Sequence, residues 1–266
     1  MANSAAIGIF DSGIGGLSVA RAVRELLPNE SLIYVADSGH APYGEKTDDY
    51  IYQRMDHITQ HLTASGVKAI VVACNTATTA AIAKLRAQYP LPIIGVEPGV
   101  KPAVLASKSG VVGVLATPRT LLTPAFATLT QRYAGQAKVI LQPCPQLVPL
   151  IEALAFNSDN IRALLKSYIQ PLLAQGADTL VLGCTHYNFV ADSIAEIAGP
   201  DVSIIRTEMA VAKELQRRLT EADLLNTKNN GAGKATDIFY TSGNIDSFNT
   251  QLQYLWGSAV AAQQKW

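Results

Sequence analysis

Three cysteines in 266 residues are too few, and odd in number, for a disulfide framework. They are Cys74, Cys144 and Cys184, and no two form a CxxC pair, which argues against a structural zinc site. An excess of charge of either sign is also lacking. The 21 Lys and Arg residues balance 21 Asp and Glu, no basic stripe is present, and no nucleic-acid partner is expected. No apolar run approaches the roughly 20 residues that cross a bilayer, so no membrane partner is expected either. The opening residues MANSAAIGIFDSG have no basic n-region and no long apolar h-region. They do not read as a signal peptide, and the expected location is the cytoplasm. The glycines of Gly13-Ile14-Gly15-Gly16-Leu17-Ser18 lack the third spaced glycine of a dinucleotide fingerprint, and no Walker lysine follows. His57 and His61 stand one helical turn apart without the acidic partner of an H-E-x-x-H motif, so a solvated helix face is expected there and no metal site.

Apolar residues are plentiful, at 48% of the chain, which is enough for a substantial core. They fall in short runs at 6–10, 31–36, 69–73, 92–96, 111–116, 138–141, 179–182, 202–205 and 237–240. These runs are rich in Val and Ile and alternate little, as strands buried on both faces do. Helical patterns separate them. Over 47–65, Thr47 is placed to cap, Ile51, Met55, Ile58 and Leu62 recur at helical spacing, and Gly66 follows. Over 158–175, Ser158 is placed to cap and Ile161, Leu164, Leu165, Ile169 and Leu172 form the stripe, with a kink expected at Pro171. The βαβα order predicts an α/β fold with parallel sheets. Residues 225–237, LNTKNNGAGKATD, read as an exposed loop.

The chain also repeats itself. AIGIFDSGIGGLSVARAV from residue 6 aligns with VVGVLATPRTLLTPAFAT from 111, SLIYVAD from 31 with KVILQPC from 138, and AIVVACNTA from 69 with TLVLGCTHY from 179. The nearly constant offset predicts two related halves, with Cys74 and Cys184 at matching strand ends. Loops at the carboxyl ends of parallel strands are where α/β proteins bind ligands. Halves that face each other would let the two thiols flank one small molecule.

The chemistry-bearing residues collect at those ends. Asp11 and Ser12 close the first strand, and the backbone N–H groups of the following glycines are placed to hold a carboxylate at a helix N-terminus, or else to serve turn chemistry alone. Cys74, Asn75 and Thr76 close the third strand, and Cys184, Thr185 and His186 close its counterpart. A helix N-terminus favours the thiolate. His186 is placed to assist proton transfer at Cys184, and Asp11 to serve Cys74. Cys144, without a cysteine counterpart in the other half, reads as structural.

The motifs FDSGIGGLSV, ADSGHAPYGEK, VVACNTAT, IIGVEPGVKPA, VGVLAT, CPQLVPLIE, LGCTHY and FYTSG stand in one order across almost the whole chain. Together they resemble the glutamate racemases of the aspartate/glutamate racemase superfamily. One departure is Asn188, where that family usually has proline. The resemblance implies two pseudo-symmetric parallel-sheet α/β domains, with the active site in the cleft between them. It implies a discontinuous N-terminal lobe, 1–97 plus 208–266, and a C-terminal lobe, 98–207. It further implies interconversion of L- and D-glutamate without a cofactor, for peptidoglycan synthesis, by a homodimer. Cys74 and Cys184 would be the two acid/base groups, supported by Asp11 and His186. Asp11, Ser12, Tyr43, Gly44, Asn75, Thr76, Thr185 and His186 would bind the substrate, with Thr117, Thr120 and Glu152 as weaker assignments. An aspartate racemase or another two-thiol racemase is the nearest alternative, and a two-lobed small-molecule-binding protein is the non-enzymatic one.

Overall fold

The computed structural model describes residues 4–133, 135–226, 235–257 and 260–265. They divide into two compact units, one made of the chain up to Val96 together with Glu208 onward, the other of Glu97–Thr207. Each unit is a parallel sheet with flanking helices.

The first unit holds β1 (Ile7–Asp11), β2 (Leu32–Ala36), β3 (Ala69–Val72) and β4 (Ile93–Gly95). The second holds β5 (Val111–Ala116), β6 (Lys138–Pro143), β7 (Thr179–Leu182) and β8 (Ser203–Ile205). The returning segment adds β9 (Asp237–Thr241) and β10 (Ala262–Gln264) to the first. Strand order is β10-β9-β2-β1-β3-β4 in one sheet and β6-β5-β7-β8 in the other. Removing β9 and β10 leaves one topology twice, since β2-β1-β3-β4 corresponds strand for strand to β6-β5-β7-β8. β1, β2 and β3 are buried along their whole length, as expected of non-alternating apolar runs in a parallel sheet.

The helices repeat as well. Thr47 Oγ1 accepts from Tyr50 N at 3.3 Å and starts the helix Asp48–Ala64, while Ser158 Oγ accepts from Ile161 N at 3.3 Å and starts Asp159–Leu173. The first helix buries Ile51, Met55, Ile58 and Leu62, and the second buries Ile161, Leu165, Ile169 and Leu172. Leu164 lies on the flank of its stripe and is only half-buried, and the helix runs through Pro171 to Leu173. Both helices are followed by a glycine at positive φ, Gly66 at 76° and Gly176 at 88°, a conformation that costs glycine nothing. The next residue then donates back to a helix carbonyl, Val67 N to Leu62 O and Ala177 N to Leu172 O.

β10 was not legible in the sequence. Ala262-Gln263-Gln264 is a largely exposed edge with no apolar run, held by its parallel pairing to β9 and by Ala262 N donating to Asn249 Oδ1. Of the loop read over 225–237, residues 227–234 lie outside the described residues, and Asp237 already belongs to β9. The returning segment is tied to the first unit by Asn226 N, which donates to Glu30 Oε1 at 2.8 Å. The same carboxylate pairs with Lys68 Nζ at 2.6 Å, both side chains being 1% exposed. Among the described residues no helix is long and apolar enough to cross a membrane.

Candidate active site

The ends of β1 and β3 lie side by side. Ala73 N donates to Phe10 O at 2.7 Å, which extends the ladder one residue past β3 and delivers Cys74 beside the β1 loop. Cys74 is the N-cap of the helix Asn75–Gln88, with extended backbone, so its sulfur lies at a helix N-terminus. The Cys74 thiol is 5% exposed, and Ser12 Oγ stands 3.8 Å from its sulfur. Asp11, wholly buried, accepts from Ser12 N at 2.7 Å and Ser12 Oγ at 3.3 Å through Oδ1, and from Gly16 N at 2.6 Å through Oδ2. The carboxylate at this helix N-terminus is therefore the chain's own. Asp11 fixes the loop and reaches Cys74 through the Ser12 hydroxyl. Asn75 Nδ2 donates to Val96 O at 3.1 Å, and its buried Oδ1 has no hydrogen-bond partner among the described residues. Thr76 follows in the same turn, 4% exposed.

The second unit builds the same frame with different neighbours. Gly183 N donates to Leu115 O at 2.8 Å, as Ala73 does to Phe10, and Cys184 follows in the same extended conformation. Here the cysteine occupies the N-cap position of a six-residue 3-10 helix, Thr185–Val190, in place of a long α-helix. Cys184 is 7% exposed, and His186 Nδ1 lies 3.7 Å from its sulfur. On the far side of the ring, Nε2 stands 2.6 Å from Glu152 Oε1, and an N–H there donates to the carboxylate. Burial opposes a charged imidazole, but the Cys184 thiol and the Glu152 carboxylate outweigh it and raise the His186 pKa well above its usual value. Thr185 is buried between Cys184 and His186. Asn188 is buried too, inside the 3-10 helix, so the departure from proline lies within the turn that carries His186.

Tyr43 and Gly44 lie in a 3-10 turn, Tyr43–Glu45, that follows the cis peptide Ala41-Pro42. The Tyr43 ring is 1% exposed, and its hydroxyl donates to Asp37 Oδ2 at 2.6 Å. Thr117, the counterpart of Ser12, has its hydroxyl 2.9 Å from that of Thr120 and caps the helix Pro118–Leu122. Cys144 is 1% exposed, its thiol donates to Gln142 O at 3.4 Å, and burial pushes its pKa far up, as in an inert filler. His57 is exposed, and His61 packs edge-on against Tyr240 with ring centroids 5.6 Å apart.

Two participants escaped the sequence reading. Arg54 and Ser242 both bond Asp37, the residue that closes β2. Arg54 falls at the spacing of the buried stripe Ile51, Met55 and Ile58, and a cation at such a position was the available signal.

Two α/β units of one topology, each ending a central-sheet strand in a buried cysteine beside proton-handling groups, describe an enzyme of acid/base chemistry. The family model for Asp/Glu/Hydantoin racemase matches residues 17–215, and the chain belongs to that family. It is 55% identical over 254 residues to the glutamate racemase of Pseudomonas entomophila (strain L48), covering 95% of this chain and 94% of that one. Two solved structures are similar in fold throughout. Glutamate racemase from Francisella tularensis subsp. tularensis SCHU S4, in complex with D-glutamate, superposes with a TM-score of 0.85 at 30% identity, covering 99% of this chain and 98% of that one. Escherichia coli glutamate racemase, in complex with L-glutamate and the activator UDP-MurNAc-ala, gives 0.83 at 29% identity and covers 98% of each chain.

Proposed function

We propose that this chain interconverts L- and D-glutamate without a cofactor, with Cys74 and Cys184 as its two acid/base groups. The observation that carries the reading is the matched placement of two buried thiols at equivalent strand ends, each beside a different proton-handling neighbour. Racemisation takes the Cα proton from one face and returns a proton to the other. One group would have to travel around the substrate, whereas two groups reaching one Cα do it directly. One sulfur, as thiolate, takes the Cα proton, and the other, as thiol, gives its proton to the opposite face. Turnover leaves the two protonation states exchanged.

The resting states are then restored at each sulfur by its neighbours. His186, whose protonated form is favoured by Cys184 and Glu152, exchanges a proton with Cys184 through Nδ1, while the Ser12 hydroxyl relays a proton between Cys74 and the Asp11 carboxylate. The Cα proton beside a carboxylate is weakly acidic, so the carbanion-like state needs donors on the α-carboxylate. Thr76, Thr185 and the turn at Tyr43–Gly44 serve this, while Oδ1 of Asn75, which has no hydrogen-bond partner among the described residues, accepts from the substrate ammonium. In this reading the enzyme works in the cytoplasm as a homodimer and supplies D-glutamate for peptidoglycan.

The test is incubation of L-glutamate, and separately L-aspartate, with the protein in D2O without added cofactor, following optical rotation and deuterium at Cα. Loss of rotation with deuterium entry for glutamate is expected. Retention of rotation would overturn the reading, and a preference for aspartate would move it to the aspartate racemases. Sedimentation equilibrium at micromolar protein checks the dimer, and a monomer mass would remove it.

A further inference from the structure

Asp37 takes no part in the proton chemistry proposed above, yet three side chains converge on its carboxylate. It is wholly buried. Arg54 donates to it twice, from Nε at 3.0 Å and Nη2 at 2.8 Å, Tyr43 donates from its hydroxyl at 2.6 Å, and Ser242 from its hydroxyl at 2.7 Å. Burial pushes the carboxyl upward, and these donors, Arg54 foremost, still hold it below the usual carboxylate range. The cluster joins the end of β2, the helix Asp48–Ala64, the Tyr43 turn and the residue after β9. The last contact is close. Gly39 N donates to Ser242 Oγ at 3.1 Å, and a Cβ on Gly39 would stand 2.6 Å from Ser242 O. The FYTSG motif at the end of β9 thus meets the ADSGH motif at the end of β2, and neither carries a role in the proposed reaction.

We propose that Asp37, held by Arg54 and Ser242, is a positioning residue for the Tyr43–Gly44 turn, through which the returning segment of the chain sets how tightly the substrate is bound. The two-pronged Arg54 contact fixes the plane of the carboxylate. The carboxylate fixes the phenol, and a ring with its hydroxyl committed and its body buried fixes the turn. The backbone of the turn, with the phenol spent on Asp37, is what meets the ligand. A turn held in its binding conformation spares the ordering that a loose one must undergo at each encounter, so its loosening appears in substrate binding before it appears in the proton transfers.

This inference rests on the racemase reading, and the experiment separates the two. Racemisation kinetics are measured for the unmodified protein and for Ser242→Ala, Ser242→Thr, Arg54→Lys, Tyr43→Phe and the double variant Tyr43→Phe/Arg54→Lys, with circular dichroism confirming each fold. Ser242→Ala and Arg54→Lys are expected to raise KM about tenfold, as loss of a hydrogen bond to a charged group does, with kcat changed less than about threefold. Ser242→Thr, which keeps the hydroxyl, is expected to restore KM. The double variant is expected to fall short of the product of its single effects, because both changes act on one unit. If Arg54→Lys does not fold, the Ser242 pair decides alone. KM within about twofold in folded Ser242→Ala, a loss confined to kcat, or full additivity would overturn the positioning role. An unmodified protein that fails to racemise glutamate would instead remove the function on which the role depends.

Discussion

The Cys74 and Cys184 ends of the molecule share a backbone frame and differ in everything that touches the sulfur. In both, a residue before the cysteine donates to the central strand, and the cysteine caps the helix that follows in extended conformation. Beyond that the first unit offers a 14-residue α-helix, a serine hydroxyl and a carboxylate tied to backbone N–H groups. The second offers a short 3-10 helix and an imidazole backed by a carboxylate. A duplicated frame fixes where a thiol stands, while in the mechanism proposed above its neighbours fix how it exchanges protons. Such asymmetry suits a reaction whose two substrates are mirror images but whose protein surroundings cannot be.

The sharpest way to break the comparison is to remove each thiol in turn. Cys74→Ala and Cys184→Ala are each expected to lower the racemisation rate by about 10²–10⁴-fold or more, the scale of a lost acid or base. Polarimetry reads both directions. Full activity in either variant would end the equivalence of the two ends and the two-thiol mechanism with it.

A smaller effect distinguishes the neighbours. His186→Gln is expected to cost about 10²-fold in kcat and Ser12→Ala about tenfold, since a cation exchanges protons with a sulfur more readily than a hydroxyl does. Equal losses would make the asymmetry chemically idle. The same histidine carries a stability signature. Its folded pKa lies above the unfolded value near 6.5, so its contribution is fully present below that value and is lost as pH rises through the raised pKa. The thermal midpoint of the protein is expected to fall on the alkaline side, and His186→Gln to flatten that fall. A midpoint in the variant that tracks the unmodified protein across alkaline pH would assign the fall to other groups.

How far the sequence told this story in advance depends on the range of each interaction. Non-alternating apolar runs disclosed β1 to β9, but the burial on both faces that such runs imply holds throughout only for β1, β2, β3 and β7, whereas β6 and β8 are half-buried or exposed along their length. Thr47 and Ser158 were readable as caps, since a cap is a contact within one turn. The repeat exposed the pairing of Cys74 with Cys184. By contrast, Arg54 and Ser242 meet Asp37 across separations of 17 and 205 residues; the stripe position of Arg54 marks a cation on a buried face, but nothing local marks the partner that either residue finds. The Asp11 loop was half-read. Its glycines left open a carboxylate-binding turn or turn chemistry alone, and that a carboxylate is bound there and is Asp11 itself required the fold to bring Gly16 N back on it. β10 lacks an apolar signal altogether and exists by pairing with β9.

The subtlest break concerns the packing beneath the frame. Gly8 in β1 and Gly113 in β5 occupy matching positions in the aligned repeats, and each admits a leucine from the equivalent helix. A Cβ on Gly8 would stand 2.9 Å from Leu62 Cδ1, and one on Gly113 would stand 2.7 Å from Leu172 Cδ1 and 2.7 Å from Leu180 Cδ2. Leu62 and Leu172 are 0% and 1% exposed, so neither can swing aside into solvent. Forcing a methyl group into such packing costs about 1–3 kcal/mol. Replacing glycine restrains the unfolded chain and returns about 0.4–1 kcal/mol, which leaves a net loss. Gly8→Ala and Gly113→Ala are therefore both expected to lower the urea midpoint with the m-value unchanged, Gly113→Ala by more because two side chains meet its new methyl group. Tolerance in one unit and loss in the other would show that the repeat extends to topology and strand ends but not to the packing that supports them.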